Sequence, residues 1–281
     1  MKTKLRVGII GGGNMGAAII AGIHASYQVS VCDPDQEKIK FLRKKYGVTS
    51  GDLADVISAS DRIILAVKPQ MMAEVLTAVK PYANQRKLFV SIAAGVTAAF
   101  IEKQLGKGQR VVRTMPNLPA QVGQGMTAVS AGRNATVADV KTTCQLFDKI
   151  GRTVVVEEKM MDAVTAVSGS GPAYLFLFVE CLLAAAKNLK LSDAASRVLV
   201  TQTLKGSLAL LESSGEDAAV LRERVTSKGG TTQAALEVFA QRGMQKIFTE
   251  ALQAAAARAG ELSQGHMTQD TGHKTPALTY K

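Results

Sequence analysis

A glycine-rich turn near the start of the chain has the spacing of a phosphate-binding loop. The apolar run at residues 5–10 leads directly into Gly-Gly-Gly-Asn-Met-Gly at residues 11–16, which matches the pattern GxGxxG and precedes an apolar helical segment. In this pattern the first glycine permits a tight turn, the second lets the backbone approach a pyrophosphate, and the third lets the helix pack closely on the strand. The start of that helix then faces the phosphates. We predict that the dinucleotide contacts come from Gly11, Gly13, Asn14, Met15 and Gly16.

An aspartate follows the second apolar run at the distance expected for a ribose-binding acid. Asp33 lies 22 positions after Gly11, and a carboxylate there accepts hydrogen bonds from a ribose 2′-hydroxyl and repels a 2′-phosphate. This favours NADH over NADPH. An alternative stays open, in which Asp33-Pro34-Asp35 only caps the next helix, because proline and acidic residues suit a first helical turn.

Small or polar residues end the later strands of the first half, where doubly wound sheets bind their ligands. Residues 66–69 read Ala-Val-Lys-Pro, residues 91–96 leave room for a nicotinamide ring, and Asn117 follows Met115-Pro116 in a stiff turn. Lys68 is equally compatible with a solvated loop. The predicted cofactor contacts of this group are Ala66, Val67, Lys68, Pro69, Ala93, Ala94, Gly95 and Asn117.

A second candidate site lies in the other half of the chain. Residues 225–232 form a loop of Ser, Gly and Thr that opens a helix, so its backbone N–H groups and hydroxyls suit a small carboxylate. Lys228 adds positive charge. An ordinary helix cap explains the same residue types equally well. The candidate substrate contacts are Ser227, Gly229, Gly230, Thr231 and Thr232.

The elements that must position these residues follow two different patterns. Short β-rich runs at residues 5–10, 29–32, 63–67, 88–92, 111–115, 127–131 and 153–156 alternate with helical segments, which predicts a doubly wound, mainly parallel sheet of the Rossmann type. Residues 162–265 contain no convincing strand and predict an all-helical domain. We expect a dinucleotide-binding domain at residues 1–158, a helical domain at 159–264 and a flexible tail at 265–281.

Composition narrows the classes of protein. The 281 residues are 47% hydrophobic and carry a net charge of +11, of which +10 falls on residues 1–150. This basic half carries few aromatic residues to stack on bases, which argues against nucleic acid and favours a small phosphate-bearing ligand. Charged residues interrupt the apolar stretches before a membrane span is reached, and the basic N-terminus leads into a strand instead of a signal peptide. The three cysteines, Cys32, Cys144 and Cys181, have no paired spacing, so we expect a cytoplasmic protein without disulfides or a metal site.

Taken together, six segments resemble the pyrroline-5-carboxylate reductase family, and the resemblance covers about residues 4–263. The most specific parts are SGSGPAY at residues 168–174 and the VTSxGGTT stretch at 225–232; the others are residues 11–16, 66–69, 91–96 and 115–119. The resemblance implies an NADPH- or NADH-dependent oxidoreductase that reduces 1-pyrroline-5-carboxylate to L-proline, the last step of proline biosynthesis. It also implies a helical dimerisation domain and a homodimer, which in this family often assembles into a decamer.

The resemblance assigns the substrate carboxylate to Ser227, Gly230, Thr231 and Thr232, with the Thr232 hydroxyl near the ring nitrogen. Three departures from the family pattern stand out. Lys228 replaces a usual proline, Leu118 replaces a usual threonine, and Asp33 occupies a region where NADPH-preferring members often carry a neutral or basic residue.

The chemistry of a cyclic imine suits this inventory of residues. A protonated iminium carbon accepts hydride directly, so catalysis depends mainly on positioning, with Thr232 and Ser227 as the catalytic candidates and Thr232, or a water it holds, as the donor to nitrogen. A dehydrogenase for 3-hydroxy acids requires a catalytic lysine that residues 175–179 do not offer. An NAD(P)-binding regulatory protein and a reductase for a related cyclic imine remain as alternatives.

Overall fold

The computed structural model describes residues 4–268, which contain one eight-stranded sheet. Its strands are β1 (Arg6–Ile10), β2 (Gln28–Cys32), β3 (Thr49–Ser50), β4 (Arg62–Leu65), β5 (Leu88–Ser91), β6 (Arg110–Met115), β7 (Gly125–Ala131) and β8 (Gly151–Val155). They lie in the order β3-β2-β1-β4-β5-β6-β7-β8. All neighbours pair in parallel except β6 and β7. The predicted doubly wound, mainly parallel sheet is confirmed, and only the two-residue β3 had no counterpart in the sequence pattern.

The described helices are α1 (Asn14–Ile23), α2 (Gln36–Tyr46), α3 (Leu53–Ser58), α4 (Met72–Val79), α5 (Ala98–Leu105), α6 (Val137–Phe147), α7 (Met161–Val164), α8 (Gly171–Asn188), α9 (Asp193–Ser214), α10 (Ala218–Arg224), α11 (Thr231–Gln241) and α12 (Met244–Thr268). A single π-helical segment, Thr165–Gly169, lies between α7 and α8. The predicted helical half of the chain is confirmed, with no strand after β8 among the described residues.

The sheet is buried on both faces, which explains why its central strands are continuous runs of Val, Ile and Leu. Successive side chains of a strand point to opposite faces. In β4, Ile64 therefore packs into the core under α1, α2 and α6, whereas Ile63 and Leu65 pack into the core under α3, α4 and α5. All three side chains are fully buried. The chain order reverses beside β1, which pairs with β2 on one side and β4 on the other. In doubly wound sheets ligands bind at such a reversal, outside the carboxyl ends of the strands.

The chain divides into two compact units. The first comprises Met1–Ser170 together with Ala254–Lys281, and the second comprises Gly171–Gln253. The polypeptide thus leaves the first unit once and returns to it within α12. In the second unit, α8 and α9 pack against each other, but no residue of α8 is buried within the chain. Helix α12 continues through Thr268, so residues 265–268 of the predicted tail are helical, and residues 269–281 lie outside the described residues.

One helical run among residues 4–268 has the length and composition needed to cross a membrane. It spans Glu158–Asn188, has a mean hydropathy of 1.5 in its most apolar window, and only 6% of that window is buried. This differs from the expectation that charged residues interrupt each apolar stretch too early. The large apolar side chains exposed on this run include Val167, Phe176 and Leu177.

Candidate active site

The glycine turn after β1 is shaped by contacts that only glycine permits. Gly11 has φ +107°, and a Cβ there would overlap the main-chain oxygen of Ala66. A Cβ on Gly16 would overlap the carbonyl oxygen of Gly11, so α1 packs directly against the turn. By contrast, no atom lies within 4 Å of a Cβ built on Gly13. Gly13 therefore faces open space at the start of α1, and this space suits the approach of a phosphate to the backbone.

Asp33 is fixed against this glycine turn. Its Oδ2 accepts the backbone N–H of Gly12 at 2.6 Å, and its Oδ1 accepts the backbone N–H of Asp35 at 2.9 Å. The cap of α2 is Asp35, whose side chain accepts from the N–H groups of Glu37 and Lys38. The two aspartates thus have separate roles, and the capping alternative applies to Asp35. Asp33 instead holds a partly exposed carboxylate at the carboxyl end of β2.

The residues after β4 complete the same edge of the sheet. The Ala66 N–H donates to Ile10 at the end of β1 at 2.8 Å, and its methyl group lies 3.6 Å from the Cβ position of Gly16. The structure therefore brings Ala66 together with the glycine turn. The following residues, Val67, Lys68 and Pro69, lead into a short 3₁₀ turn, with Lys68 exposed.

Residues 93–95 follow β5 beside the end of β4, since Ile92 donates to Leu65. Ala93 is buried and Ala94 is partly buried. Gly95 has φ +72°, and its Cβ position lies 2.9 Å from the Cβ of Leu262 in α12. The small size of Gly95 is thus explained by packing against α12, a contact that sequence reasoning missed.

The side chain of Asn117 is engaged within the protein. Its Nδ2 donates to the carbonyl oxygen of Ser168 at 3.1 Å and to the Ser168 hydroxyl at 3.3 Å, while its Oδ1 accepts the N–H of Met126 at 2.8 Å. Pro172, four residues after Ser168, has no N–H to donate to that carbonyl in an α-helical pattern. Asn117 supplies a donor at this point, so its amide joins the ends of β6 and β7 to the π-helical segment. Segments of this type occur frequently at functional sites.

A buried ionic cluster next to this segment was not predicted from the sequence. The Arg113 side chain is 5% exposed and lies 3.3 Å from Glu158 and 3.9 Å from Asp162. Glu158 also accepts the N–H of Ala98 at the start of α5, and Asp162 accepts the hydroxyl of Ser263 in α12. The cluster thus joins the C-terminal part of α12 to the rest of the first unit. An arginine that follows Val111 and Val112 in β6 was the available signal, because a buried charge requires partners.

In the second unit, the Ser-Gly-Thr loop ends at the N-terminus of α11. The N-cap residue is Gly230, which brings no side chain to cap the first turn. Its N–H donates to Ser227 at 3.0 Å, and its Cβ position is filled by the Ser227 hydroxyl oxygen. The Gly229 N–H donates to Gln233. Thr231 is exposed and Thr232 partly buried, so the loop presents backbone donors and a hydroxyl at one helix start.

The two predicted anion sites have the same type of helix start. Helices α1 and α11 begin after Gly13 and Gly230, without a side-chain cap. Aspartate, threonine or serine side chains cap α2, α3, α5, α6 and α9, whereas α4, α7 and α10 also begin without such a cap. The first N–H groups of a helix have no partner within it, so an uncapped start leaves them to a ligand. The structure therefore excludes the alternative of an ordinary side-chain cap at α11.

Comparison with known proteins agrees with this geometry. Residues 6–95 match the family model described as NADP oxidoreductase, coenzyme F420-dependent, and residues 158–262 match the model for pyrroline-5-carboxylate reductase dimerisation. The fold and the glycine turn thus define a nicotinamide-dependent oxidoreductase with a Rossmann domain. The chain is 37% identical over 265 residues to the pyrroline-5-carboxylate reductase of Pseudomonas aeruginosa, covering 92% of this chain and 97% of that protein. The chain belongs to the pyrroline-5-carboxylate reductase family.

Solved structures support the same assignment. The pyrroline-5-carboxylate reductase of Coxiella burnetii matches with a TM-score of 0.87 and 34% identity, over 93% of this chain and 99% of that one. The NADP-bound structure of Plasmodium falciparum pyrroline carboxylate reductase matches with a TM-score of 0.83 and 29% identity, over 92% and 98% of the two chains. The predicted family resemblance is confirmed. The individual site residues are tested by neither comparison and stay predictions.

Proposed function

We propose that this protein reduces 1-pyrroline-5-carboxylate to L-proline, the final step of proline biosynthesis, with hydride from NADH or NADPH. Family membership over nearly the whole chain supports the reaction. The observation that carries the site assignment is the uncapped start of α11 at Gly230, which leaves backbone N–H groups for a carboxylate.

The first unit fits a nicotinamide dinucleotide. The open space at Gly13 admits the pyrophosphate, the partly exposed Asp33 carboxylate accepts a ribose hydroxyl, and the small side chain of Ala66 borders the turn. When bound, the reduced cofactor supplies the hydride. The remaining cofactor contacts are proposed at Asn14, Met15, residues 67–69 and residues 93–95. Asn117 acts by positioning, because its polar atoms are already engaged.

The helical unit supplies the substrate contacts. We assign the carboxylate to the N–H groups of Thr231 and Thr232 and to the Ser227 hydroxyl, with Lys228 adding positive charge at the exposed loop. The Gly230 N–H already donates to the Ser227 carbonyl, so Gly230 contributes by starting the helix without a side chain. Hydride adds to the carbon of the protonated C=N bond, and nitrogen keeps its proton and becomes the ring amine. As hydride adds, a lone pair forms on the nitrogen, and Thr232, directly or through a water, donates a hydrogen bond to it.

We propose that residues 1–158 bind the nucleotide and that residues 159–264 bind the substrate and a second chain. Large apolar side chains lie exposed along the helical unit. They include Phe176, Leu177, Val198, Leu199, Val238 and Phe239. We propose that a second copy of the chain covers them, in keeping with the dimerisation model matched there, and that the protein is cytoplasmic and not inserted in a membrane. Analytical ultracentrifugation without detergent separates a dimer, a decamer and lipid-dependent aggregates.

The decisive experiment follows the loss of NADH or NADPH absorbance with 1-pyrroline-5-carboxylate and identifies proline as the product. Turnover that requires both reactants supports the proposal. Nucleotide binding without turnover indicates a regulatory protein, and faster turnover of a six-membered cyclic imine carboxylate indicates a related reductase. The variant Thr77→Ala serves as a control, because that exposed hydroxyl donates to the Ala73 carbonyl within α4, outside the proposed contacts.

A further inference from the structure

Two carboxylates occupy the connection between β2 and α2, and they are linked through the backbone. Asp33 accepts N–H groups from Gly12 and Asp35, so its position is fixed between the glycine turn and the start of α2. Asp35 follows two residues later, and its side chain accepts N–H groups from the first turn of α2 instead of from the glycine turn. In Rossmann folds a residue near this acid contacts the ribose 2′-phosphate when one is present, so the start of α2 is the segment whose charges bear on that phosphate.

Asp35 engages the groups at this helix start that suit an anion. Its Oδ1 accepts the N–H of Glu37 at 3.0 Å and that of Lys38 at 3.3 Å, and its Oδ2 lies 3.3 Å from the Lys38 ammonium. The backbone N–H of Lys38 holds the pKa of the Asp35 carboxyl below its ordinary value, so the group is charged at neutral pH.

The other basic residues of α2 either pair with an acidic side chain or lie at the far end of the helix. Lys40 pairs with Glu37 at 2.8 Å, and Arg43, Lys44 and Lys45 lie in the last turn of the helix. A phosphate monoester carries about 1.5 to 2 negative charges at neutral pH and requires several donors. At the start of α2, the nearest cation and two backbone donors already serve a carboxylate.

We propose that Asp35 is a second determinant of nucleotide specificity: together with Asp33 it excludes a ribose 2′-phosphate, so that the protein binds NADH more tightly than NADPH. This inference rests on the proposed function, because it assumes that the nucleotide ribose is held at Asp33. It goes beyond the role of Asp33, since it predicts that changing Asp33 alone does not create NADPH preference. The net charge of +11 would by itself favour the more highly charged nucleotide, so the local carboxylates must outweigh it.

The test is the variant Asp35→Asn, which keeps a side chain favoured at an N-cap and frees Lys38. Dissociation constants for NADH and NADPH are measured by calorimetry on the purified full chain without substrate, and circular dichroism verifies the helix content. We expect NADPH binding to tighten by about tenfold, the effect of about 1.4 kcal/mol, and NADH binding to change by less than about twofold. Asp35→Ser is a second variant with a favoured cap and the same charge change.

The matched control is Asp61→Asn, which also removes one carboxylate paired with a basic side chain, here Arg6 at the amino end of β1. An equal tightening of NADPH binding in this control overturns the proposal, because it assigns the effect to net charge. The proposal also fails if the unchanged protein binds NADPH more tightly than NADH, or if both Asp35 variants are folded and bind NADPH as before. The proposed reaction fails separately, when nucleotides bind as expected but 1-pyrroline-5-carboxylate is not reduced.

Discussion

Asn117 donates a hydrogen bond to the carbonyl oxygen of Ser168, 51 residues later in the chain. The bond joins the end of β6 to the π-helical segment that precedes α8. With the second bond from Met126 to Asn117, it fixes three segments with one amide.

We expect Asn117→Ala to lower the free energy of unfolding by about 1–3 kcal/mol, because it leaves partly buried backbone groups without their partner. Urea unfolding measures this, and Asn84→Ala, which removes an amide from an exposed loop, should stay within about 0.5 kcal/mol. NADH affinity of the folded variant should be nearly unchanged. A large loss of NADH affinity without a loss of stability would restore Asn117 as a direct cofactor contact.

Substitutions at two glycines of the turn test folding and nucleotide binding separately. Gly16→Ala places a methyl group against the Gly11 carbonyl, and we expect it to cost about 1–3 kcal/mol of stability through overpacking. Gly13→Ala meets no atom within 4 Å and should fold, yet weaken NADH binding by about tenfold or more, because the methyl group enters the space that the pyrophosphate approaches. Unfolding and NADH titration of both variants check this pair. Unimpaired NADH binding by Gly13→Ala would contradict the placement of the pyrophosphate.

The hydroxyl of Thr232 is predicted to assist the reaction itself. Thr232→Ala should lower kcat by about tenfold or more, in line with the loss of a positioned hydrogen-bond donor to the reacting nitrogen, while Thr232→Ser should retain most of the activity. Steady-state kinetics with saturating nucleotide measures both, with Thr77→Ala as the unaffected control. Equal kcat values for Thr232→Ala and the unchanged protein would remove this hydroxyl from the mechanism.

Because Cys32 is buried, we expect the free energy of unfolding to fall in alkaline solution. Burial raises the pKa of the Cys32 thiol from 9.0 to about 11, so the folded state holds its proton where the unfolded state has lost it. This contribution is complete below pH 9 and is lost as the pH rises towards 11, for a total of about 2–3 kcal/mol.

Urea unfolding at pH 8 and pH 11 should therefore show a smaller alkaline loss in Cys32→Ala than in the unchanged protein. Cys144→Ala, which removes a less buried thiol, is the control for loss of a sulfur. Identical pH dependence in Cys32→Ala and the unchanged protein would show that this thiol does not contribute.

Local patterns predicted much of the fold and the glycine turn, because each rests on neighbours in the sequence. The spacing of Gly11, Gly13 and Gly16 and the apolar strand before them are sufficient to define the turn. The link from Asn117 to Ser168 is different, since Pro172 signals that a carbonyl lacks its helical donor but not which side chain supplies one. Likewise, the packing of Gly95 against Leu262 joins residues far apart in the chain, and a sequence pattern cannot distinguish it from room left for a ligand.

The roles of charged residues likewise depend on contacts that the sequence does not show. The residue types at Asp33 and Asp35 left ribose binding and helix capping open; the hydrogen-bond partners assign the cap to Asp35, and the ribose contact of Asp33 stays a prediction. For Arg113, the sequence shows a charge that follows two valines in a strand, but its partners Glu158 and Asp162 come from a segment about 45 residues later. Long-range contacts of this kind decide which polar residues are structural.

The return of α12 to the first unit has a consequence for engineering. Because the helical unit is joined to the remainder of the chain at both Ser170 and Ala254, it is an insert with two attachment points. Exchanging it between relatives therefore needs two coordinated junctions. A truncation after the sheet would remove the part of α12 that packs against Gly95. A chimera should carry its own Arg113, Glu158, Asp162 and Ser263 as a matched set.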